Sequence, residues 1–210
     1  RFPTIRRVYF QKNDIQEDSR FVVTVNIEGD KKAHTVEATP YYSNATQNTV
    51  PQATLEEALS RHSFLTFDKK ANILRVRPGR WRVESWLVMP RDIELFLPEG
   101  TRLQFAPGVG IVANGGPLNF HGTKDQPVVL EGFGESASEG SWQGIIVLKS
   151  ERPSHWNYTN IKNTTGIKYG AWMVNAGATF YESDAYLNHV SFSGNRSEDA
   201  LNIIRSTFDL

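Results

Sequence analysis

The sequence predicts an all-β chain whose larger part is a parallel β-helix. This is a three-sided solenoid of about 23 residues per turn, preceded by a short capping helix and a few antiparallel strands. Three observations predict it. Leu87, Leu95, Leu103, Ile111 and Leu118 are separated by 8, 8, 8 and 7 residues, and Met89, Leu97, Phe105, Ala113 and Phe120 follow two residues behind with the same steps. Side chains at i and i+2 leave a strand on one face, so each pair marks a short strand facing a common interior. Between the pairs stand Pro90-Arg91-Asp92, Pro98-Glu99-Gly100, Pro107-Gly108 and Gly115-Gly116-Pro117, residues that fix or free φ at corners. Finally, YESDAYL (181–187) is like IRSTFDL (204–210) at an offset of 23, about three steps of eight. Hairpins or a β-sandwich are the alternatives, but of these corners only the last, at Asn114-Gly115, has an Asn-Gly step, and none has Asp-Gly.

Three regions are expected: a partial antiparallel β region (1–50), a linker and capping helix (51–72), and the parallel β-helix (73–210), truncated at its C-terminus. In the first, Arg7–Phe10, Phe21–Ile27 and Thr35–Thr39 read as strands, with turns at Asn13-Asp14 and Glu28-Gly29-Asp30. Three strands alone are marginal, which suggests the end of an upstream domain. Tyr41 to Gln52 is polar and reads as a linker. Thr54 to His62 reads as a helix, with Thr54 and Glu57 at capping-box positions and Leu55, Ala58 and Leu59 as its apolar stripe. Such a helix is well placed to cover the open end of the coil. Leu74–Val76 and Trp81–Val83 begin the coil. Gly132–Ser141 and 149–157 read as loops, and Trp142–Val147 as a strand. Tyr158–Gly166 and Leu187–Asn195 are alike at an offset of 29, which implies an insertion of about six residues near 167–176.

Charge and composition exclude several functions. Lys plus Arg and Asp plus Glu are 23 each, so binding driven by phosphate neutralisation is not expected and nucleic acid is no partner. The chain has no cysteine, hence no disulfide, thiol nucleophile or cysteine zinc site. No apolar run reaches the ~20 residues of a membrane span. The chain starts at Arg1 and stops at Leu210 inside an apolar repeat, so a piece of a longer protein is expected.

The chemistry-bearing residues are few. Glu182, Asp184, Glu198 and Asp199, with His189 nearby, are the candidate carboxylates and base for a polysaccharide lyase or glycoside hydrolase. The competing reading is that acids at corners are solvated and cap turns. No Lys or Arg stands beside them in a lyase-base pattern. The same acids are the only candidates for Ca²⁺, but neither an EF-hand loop nor a G-G-x-G-x-D repeat is present, so no cofactor is expected. His34, His62, His121, His155 and His189 make no H-x-x-x-H or H-E-x-x-H pattern. G-x-S-x-G and the phosphate-cradling G-x-x-x-x-G-K-[ST] are also absent. Trp86, Trp142, Trp156, Trp172, Phe180, Tyr181 and Tyr186 recur along the coil, and of these Trp156, Trp172 and Tyr181 are the candidates for stacking on sugar rings; core filling is the alternative. Asn188 and Asn202 are candidates for inward ladders between coils. Sequons at Asn44, Asn157, Asn163 and Asn195 matter only if a eukaryote secretes the chain.

Some of these residues also carry a resemblance. P-x-G-T-x-L-x-F-x-P-G-x-x-I (98–111), G-P-L-x-F-x-G-T-x-x-x-P-V-V-L (116–130) and W-x-G-I-I-V (142–147) resemble right-handed parallel β-helices of the pectin-lyase-like superfamily. The resemblance spans about residues 73–210. It implies fold rather than activity, since that superfamily holds lyases, hydrolases, epimerases, adhesins and inert spacers. More loosely, RVRPGRWRVESWLVMP and SEDALNIIRSTF resemble the C-terminal β-helix segment of bacterial proteins with a spore-coat-H-type kinase-like domain upstream. The resulting expectation is a non-catalytic module of a larger bacterial protein, at the cell envelope or outside the cell. It would act as a rigid scaffold or as a surface for polysaccharide or a protein partner, an adhesin-like platform included. The alternative is the polysaccharide-degrading enzyme.

Overall fold

The computed structural model describes residues 21–26, 29–38, 52–133, 140–169 and 172–210. The chain divides into two units, Arg1–Asn44 and Ala45–Leu210. In the first, β1 (Phe21–Asn26) and β2 (Ala33–Ala38) pair antiparallel, with Phe21 opposite Ala38. The expected strand at 7–10, the turn at 13–14, residues 41–51 of the expected linker and residues 134–139 of the expected loop lie outside the described residues.

The second unit opens with α1 (Leu55–Arg61). Thr54 Oγ1 accepts from the Glu57 N–H at 3.1 Å, and Glu57 Oε2 accepts from the Thr54 N–H at 2.8 Å. Two otherwise orphaned donors are thus satisfied reciprocally. Ala58 is buried, and Leu55 and Leu59 pack against the same core as the strands that follow. Next, β3 (Leu65–Asp68) and β4 (Ile73–Val76) form an antiparallel hairpin. Its turn is held by Asp68 Oδ1, which accepts from the Lys70 and Ala71 N–H groups.

The chain continues through β5 (Arg80–Val83), β6 (Leu87–Val88), β7 (Glu94–Leu97), β8 (Arg102–Phe105), β9 (Gly110–Asn114), β10 (Leu118–His121) and β11 (Val128–Gly132). After β12 (Gly144–Leu148) and β13 (Ser154–Lys162) come β14 (Ile167–Tyr169) and β15 (Trp172–Val174). Last are β16 (Ala176–Tyr181), β17 (Ala185–Ser193), β18 (Asp199–Ile204) and β19 (Phe208–Asp209). Apart from β3–β4 and β14–β15, the strand pairs of this unit are parallel.

The expected right-handed, three-sided coil of about 23 residues per turn is corrected by these pairings. The strands form a mixed ten-stranded sheet, a parallel five-stranded sheet in the order β18-β16-β12-β9-β6, and two two-stranded pairs. Three findings overturn the regular coil. β3–β4 and β14–β15 are antiparallel. The spacing of partners is uneven: Ile73 lies opposite Glu94, Leu95 opposite Leu118, and Phe120 opposite Trp156, which are 21, 23 and 36 residues apart. And β13 pairs with β10 through its first half and with β11 through its second, so two expected faces merge into one sheet. The offset of 29 is also corrected, because β13 and β17 pair with Trp156 opposite Leu187 and Thr159 opposite Val190, an offset of 31. Ser154 begins β13, so the expected loop at 149–157 ends four residues early. The physical reason is shared by all these misses. Lengthening a corner in water costs little entropy, so the spacing between strands drifts while the strands stay in register.

The core is where the apolar pairs placed it. Leu87, Met89, Leu95, Leu97, Leu103, Phe105, Ile111, Ala113, Leu118 and Phe120 are all at most 1 % exposed. Burial of each large aliphatic or aromatic side chain contributes about 1.5–3 kcal/mol. Phe105 stacks on Trp142 at 4.1 Å between ring centroids, and Phe120 on Trp156 at 4.7 Å. Both indoles are satisfied: Trp142 Nε1 donates to the Lys162 carbonyl and Trp156 Nε1 to that of Leu118. A smaller apolar cluster covers the opposite face of the five-stranded sheet. Val112, Ile146, Leu148 and Ile167 are buried there, with Trp86, Tyr169, Val174 and Tyr181 packed against them. The β14–β15 hairpin supplies Ile167, Tyr169 and Val174 to that cluster.

Candidate functional site

Three of the four candidate acids, Glu182, Asp184 and Glu198, lie at corners with their carboxylates bonded to a neighbour, and the fourth, Asp199, begins a strand. Three strands of the five-stranded sheet end alike: Leu148, Tyr181 and Ile204 are in register, and each is followed by a left-handed residue and then a serine. The left-handed residues are Lys149 (φ 50°), Glu182 (φ 48°) and Arg205 (φ 52°), a column of alternating charge. Arg205 Nη1 lies 3.3 Å from Glu182 Oε1. The serines form a hydrogen-bonded column. The Ser150 N–H donates to Ser183 Oγ at 2.9 Å, and the Ser183 N–H donates to Ser206 Oγ at 2.8 Å. Asp184 Oδ1 accepts from the Thr207 N–H at 2.7 Å. Glu198 Oε2 accepts from Asn175 Nδ2, whose own Oδ1 accepts from the Glu198 N–H; Asp199 donates its N–H to the Asn175 carbonyl and opens β18. His189 lies on a different sheet, in β17, at φ 54°. The acids therefore serve strand ends and turns.

The aromatic candidates divide as well. Trp156 is fully buried between Phe120 and Phe180, which corrects its place as a sugar platform: it offers no face to a ligand. Tyr181 is half-buried in the small outer cluster, and its hydroxyl oxygen accepts from Arg205 Nη1 at 3.2 Å. The Trp172 side chain lies outside the described residues; its backbone pairs with Tyr169.

A different set of residues forms a strip on the outer face of β10, β13 and β17. His155 and Tyr186 are register neighbours whose rings stack at 5.0 Å, 12° from parallel. Asn157 and Asn188 are the next outward pair, with Asn188 Nδ2 donating to Asn157 Oδ1 at 3.4 Å. Tyr158 and His189 follow, stacked at 4.4 Å. Both have left-handed backbones, with φ 42° and 54°. That conformation turns two consecutive side chains outward, since Trp156 and Thr159 on either side are buried. The Asn188 side chain is exposed, so its ladder runs along the outer surface and not inward, and Asn202 is half-buried beside Thr179. Asn119 Oδ1 accepts from the His155 N–H at 2.9 Å, which ties the strip to β10. His155, Asn157, Tyr186, Leu187, Asn188, Asp209 and Leu210 line an open cleft of about 200 Å³. The sequence signal for the strip is the pair H-x-N-Y (155–158) and Y-x-N-H (186–189), visible only at the offset of 31.

Among the described residues no three His, Asp or Glu side chains gather where an ion such as Ca²⁺ could sit. Also among those residues, no helix is long and apolar enough to cross a membrane. Compared with known proteins, the chain matches no family model, no curated protein and no solved structure. With the mixed sheet and uneven spacing, that finding corrects the resemblance to pectin-lyase-like β-helices and to the spore-coat-H-type segment.

Proposed function

We propose that the second unit is a non-catalytic scaffold that presents the His155–Asn188 strip as a sugar-binding surface. The observation that carries this reading is the strip's composition: two stacked ring pairs flank a pair of side-chain amides beside an open cleft. Rings offer flat apolar faces, and amides offer both donors and acceptors to hydroxyl groups. The cleft lining carries one carboxylate, Asp209, and no Lys or Arg. This favours a neutral glycan over an acidic one. The polysaccharide-degrading reading has less support, because the Glu182, Asp184 and Glu198 carboxylates are engaged at strand ends and in turns.

The test is a titration of the chain with neutral oligosaccharides (cello-, xylo- and mannohexaose), followed by backbone amide shifts. The expected result is saturable shifts centred on His155, Asn157, Tyr186 and Asn188. Tyr186→Ala should weaken binding by about tenfold or more, as loss of an aromatic anchor does. Its melting should hardly move, since Tyr186 is exposed. Blank titrations, or shifts that map elsewhere, would sink the proposal.

A further inference from the structure

His62 ties α1 to the strands beside it. It is the C-cap residue of the helix: its N–H donates to the Ala58 carbonyl, and its own carbonyl accepts from the Leu65 N–H. Its side chain is buried, with the ring against Phe64 at 5.3 Å between centroids. The Trp86 carbonyl, between β5 and β6, can only accept, so the Nε2 atom 3.2 Å from it carries the proton and donates. The ring makes no second hydrogen bond among the described residues.

The neighbours do not favour a second proton. On α1, Arg61 adds a positive charge beside the ring, and Glu57 is turned to the Thr54 N–H at the other end of the helix. In β3, Asp68 lies 3.7 Å from Arg75 and holds the β3–β4 turn. Arg77 follows β4 and donates to the Ser63 carbonyl. Glu84, two residues before Trp86, is exposed. An imidazolium here loses most of its hydration and gains no carboxylate; burial accordingly holds the His62 pKa below the ordinary 6.5.

Little else fastens the helix. Ala58 is buried, but Leu55 and Leu59 are half-buried. Its seven residues fall short of the about 12–15 that an isolated helix needs. The chain runs from α1 into β3, an edge strand whose one ladder partner among the described residues is β4. The helix can therefore open without breaking a parallel ladder.

We propose that His62 is an acid-sensitive latch, whose protonation releases α1 and uncovers the apolar surface around Ala58 and Phe64 while the parallel strands stay paired. Linkage sets the direction. In the released form His62 meets water and titrates near its ordinary 6.5, so that form takes up the proton first and is favoured as pH falls below this value. Between pH 7.5 and 5.5 the opening constant should rise by up to about tenfold. The latch lies apart from the sugar strip and stands independently of it.

The experiment is hydrogen exchange of the Ala58 and His62 amides, which donate to the Thr54 and Ala58 carbonyls, with intrinsic rates divided out at each pH. Their protection should fall about fivefold to tenfold from pH 7.5 to 5.5, and at each pH stay below that of Leu95 and Leu103 in the core strands. In His62→Gln, whose amide can still donate to the Trp86 carbonyl, the change should shrink to less than about twofold. Thr54→Ala, which removes the capping box, should speed exchange at both amides about fivefold at either pH and leave the ratio between the two pH values intact. A change under about twofold in the parent chain, the parent's change retained in His62→Gln, no effect of Thr54→Ala, or protection equal to that of Leu95 and Leu103 would each overturn the latch.

Discussion

Removal of one hydroxyl, in Ser183→Ala, tests the serine column directly. Ser183 is 1 % exposed, and its Oγ does two things. It accepts from the Ser150 N–H at 2.9 Å, and it donates to the Tyr181 carbonyl at 3.0 Å. The Tyr181 carbonyl keeps a second partner, the Lys149 N–H at 2.9 Å. The Ser150 N–H loses its acceptor, and Ser150 is itself buried at 7 % exposure. One orphaned buried donor costs about 1–3 kcal/mol. Ser206→Ala strips the acceptor from the Ser183 N–H, but Ser206 is half-buried and water can replace it, so about 1 kcal/mol is expected. In Ser150→Ala the lost hydroxyl only donates to the Arg152 carbonyl, which makes it the mildest change, at about 0.5–1 kcal/mol. The assay is urea unfolding followed by the fluorescence of the buried Trp142 and Trp156. The expected order of midpoints is Ser183→Ala lowest, then Ser206→Ala, then Ser150→Ala, with unchanged slopes. If Ser183→Ala lies within about 0.5 kcal/mol of the parent chain, the size of an ordinary surface substitution, the column is not load-carrying and the reasoning fails.

Two further outcomes are expected. His62 is buried with Nε2 3.2 Å from the Trp86 carbonyl oxygen, and burial holds its pKa below the ordinary 6.5 despite that hydrogen bond. The unfolded chain therefore takes up a proton at this position before the folded one does, so stability present above pH 6.5 is lost as pH falls below it; the difference between parent and His62→Gln unfolding curves across pH 4–7 should show this slope, and parallel curves would refute it. Gly144→Ala should cost about 3 kcal/mol or more from strain and overlap, because φ is +103° and a Cβ would stand 2.2 Å from the Gly177 carbonyl oxygen. Gly79→Ala, also at positive φ but with no neighbour nearer than 3.9 Å, should cost only the left-handed conformation, about 1–2 kcal/mol; equal thermal shifts for the two would contradict the close approach at Gly144.

Much of the local structure was legible because it rests on short-range rules. The pairs from Leu87 to Phe120 marked core residues, since alternation in a strand follows from backbone geometry alone. Thr54 and Glu57 announced the helix start because the capping box lies within four residues. What escaped was set by long-range register. The β14–β15 hairpin replaces an insertion that the sequence placed but could not fold, because its apolar residues pack on the outside of a sheet and not on the main core. The lateral merging through β13 escaped because Tyr158, a non-glycine residue at positive φ, marks the bend without Gly or Pro. The site followed the same division. Glu182 and Asp184 looked chemical in sequence but are held by Arg205 and by the Thr207 N–H, 23 residues away. Trp156 looked like a platform until its neighbours filled both faces. The strip was missed because an offset of 29 sets His155 beside Asp184, whereas an offset of 31 sets it beside Tyr186.

The nine residues of β13 have a consequence for cooperativity. This strand is bonded to β10 and β11 on one side and to β17 along its length on the other. Opening it would release both lateral ladders at once, so those ladders cannot fray separately past it. Hydrogen exchange through β13 should then report the opening of the whole ten-stranded sheet, with the slowest amides at Thr159 to Ile161. His155, Asn157 and Tyr158 of the outer strip sit on this strand. Its rings and amides are therefore mounted on the part of the molecule expected to open last.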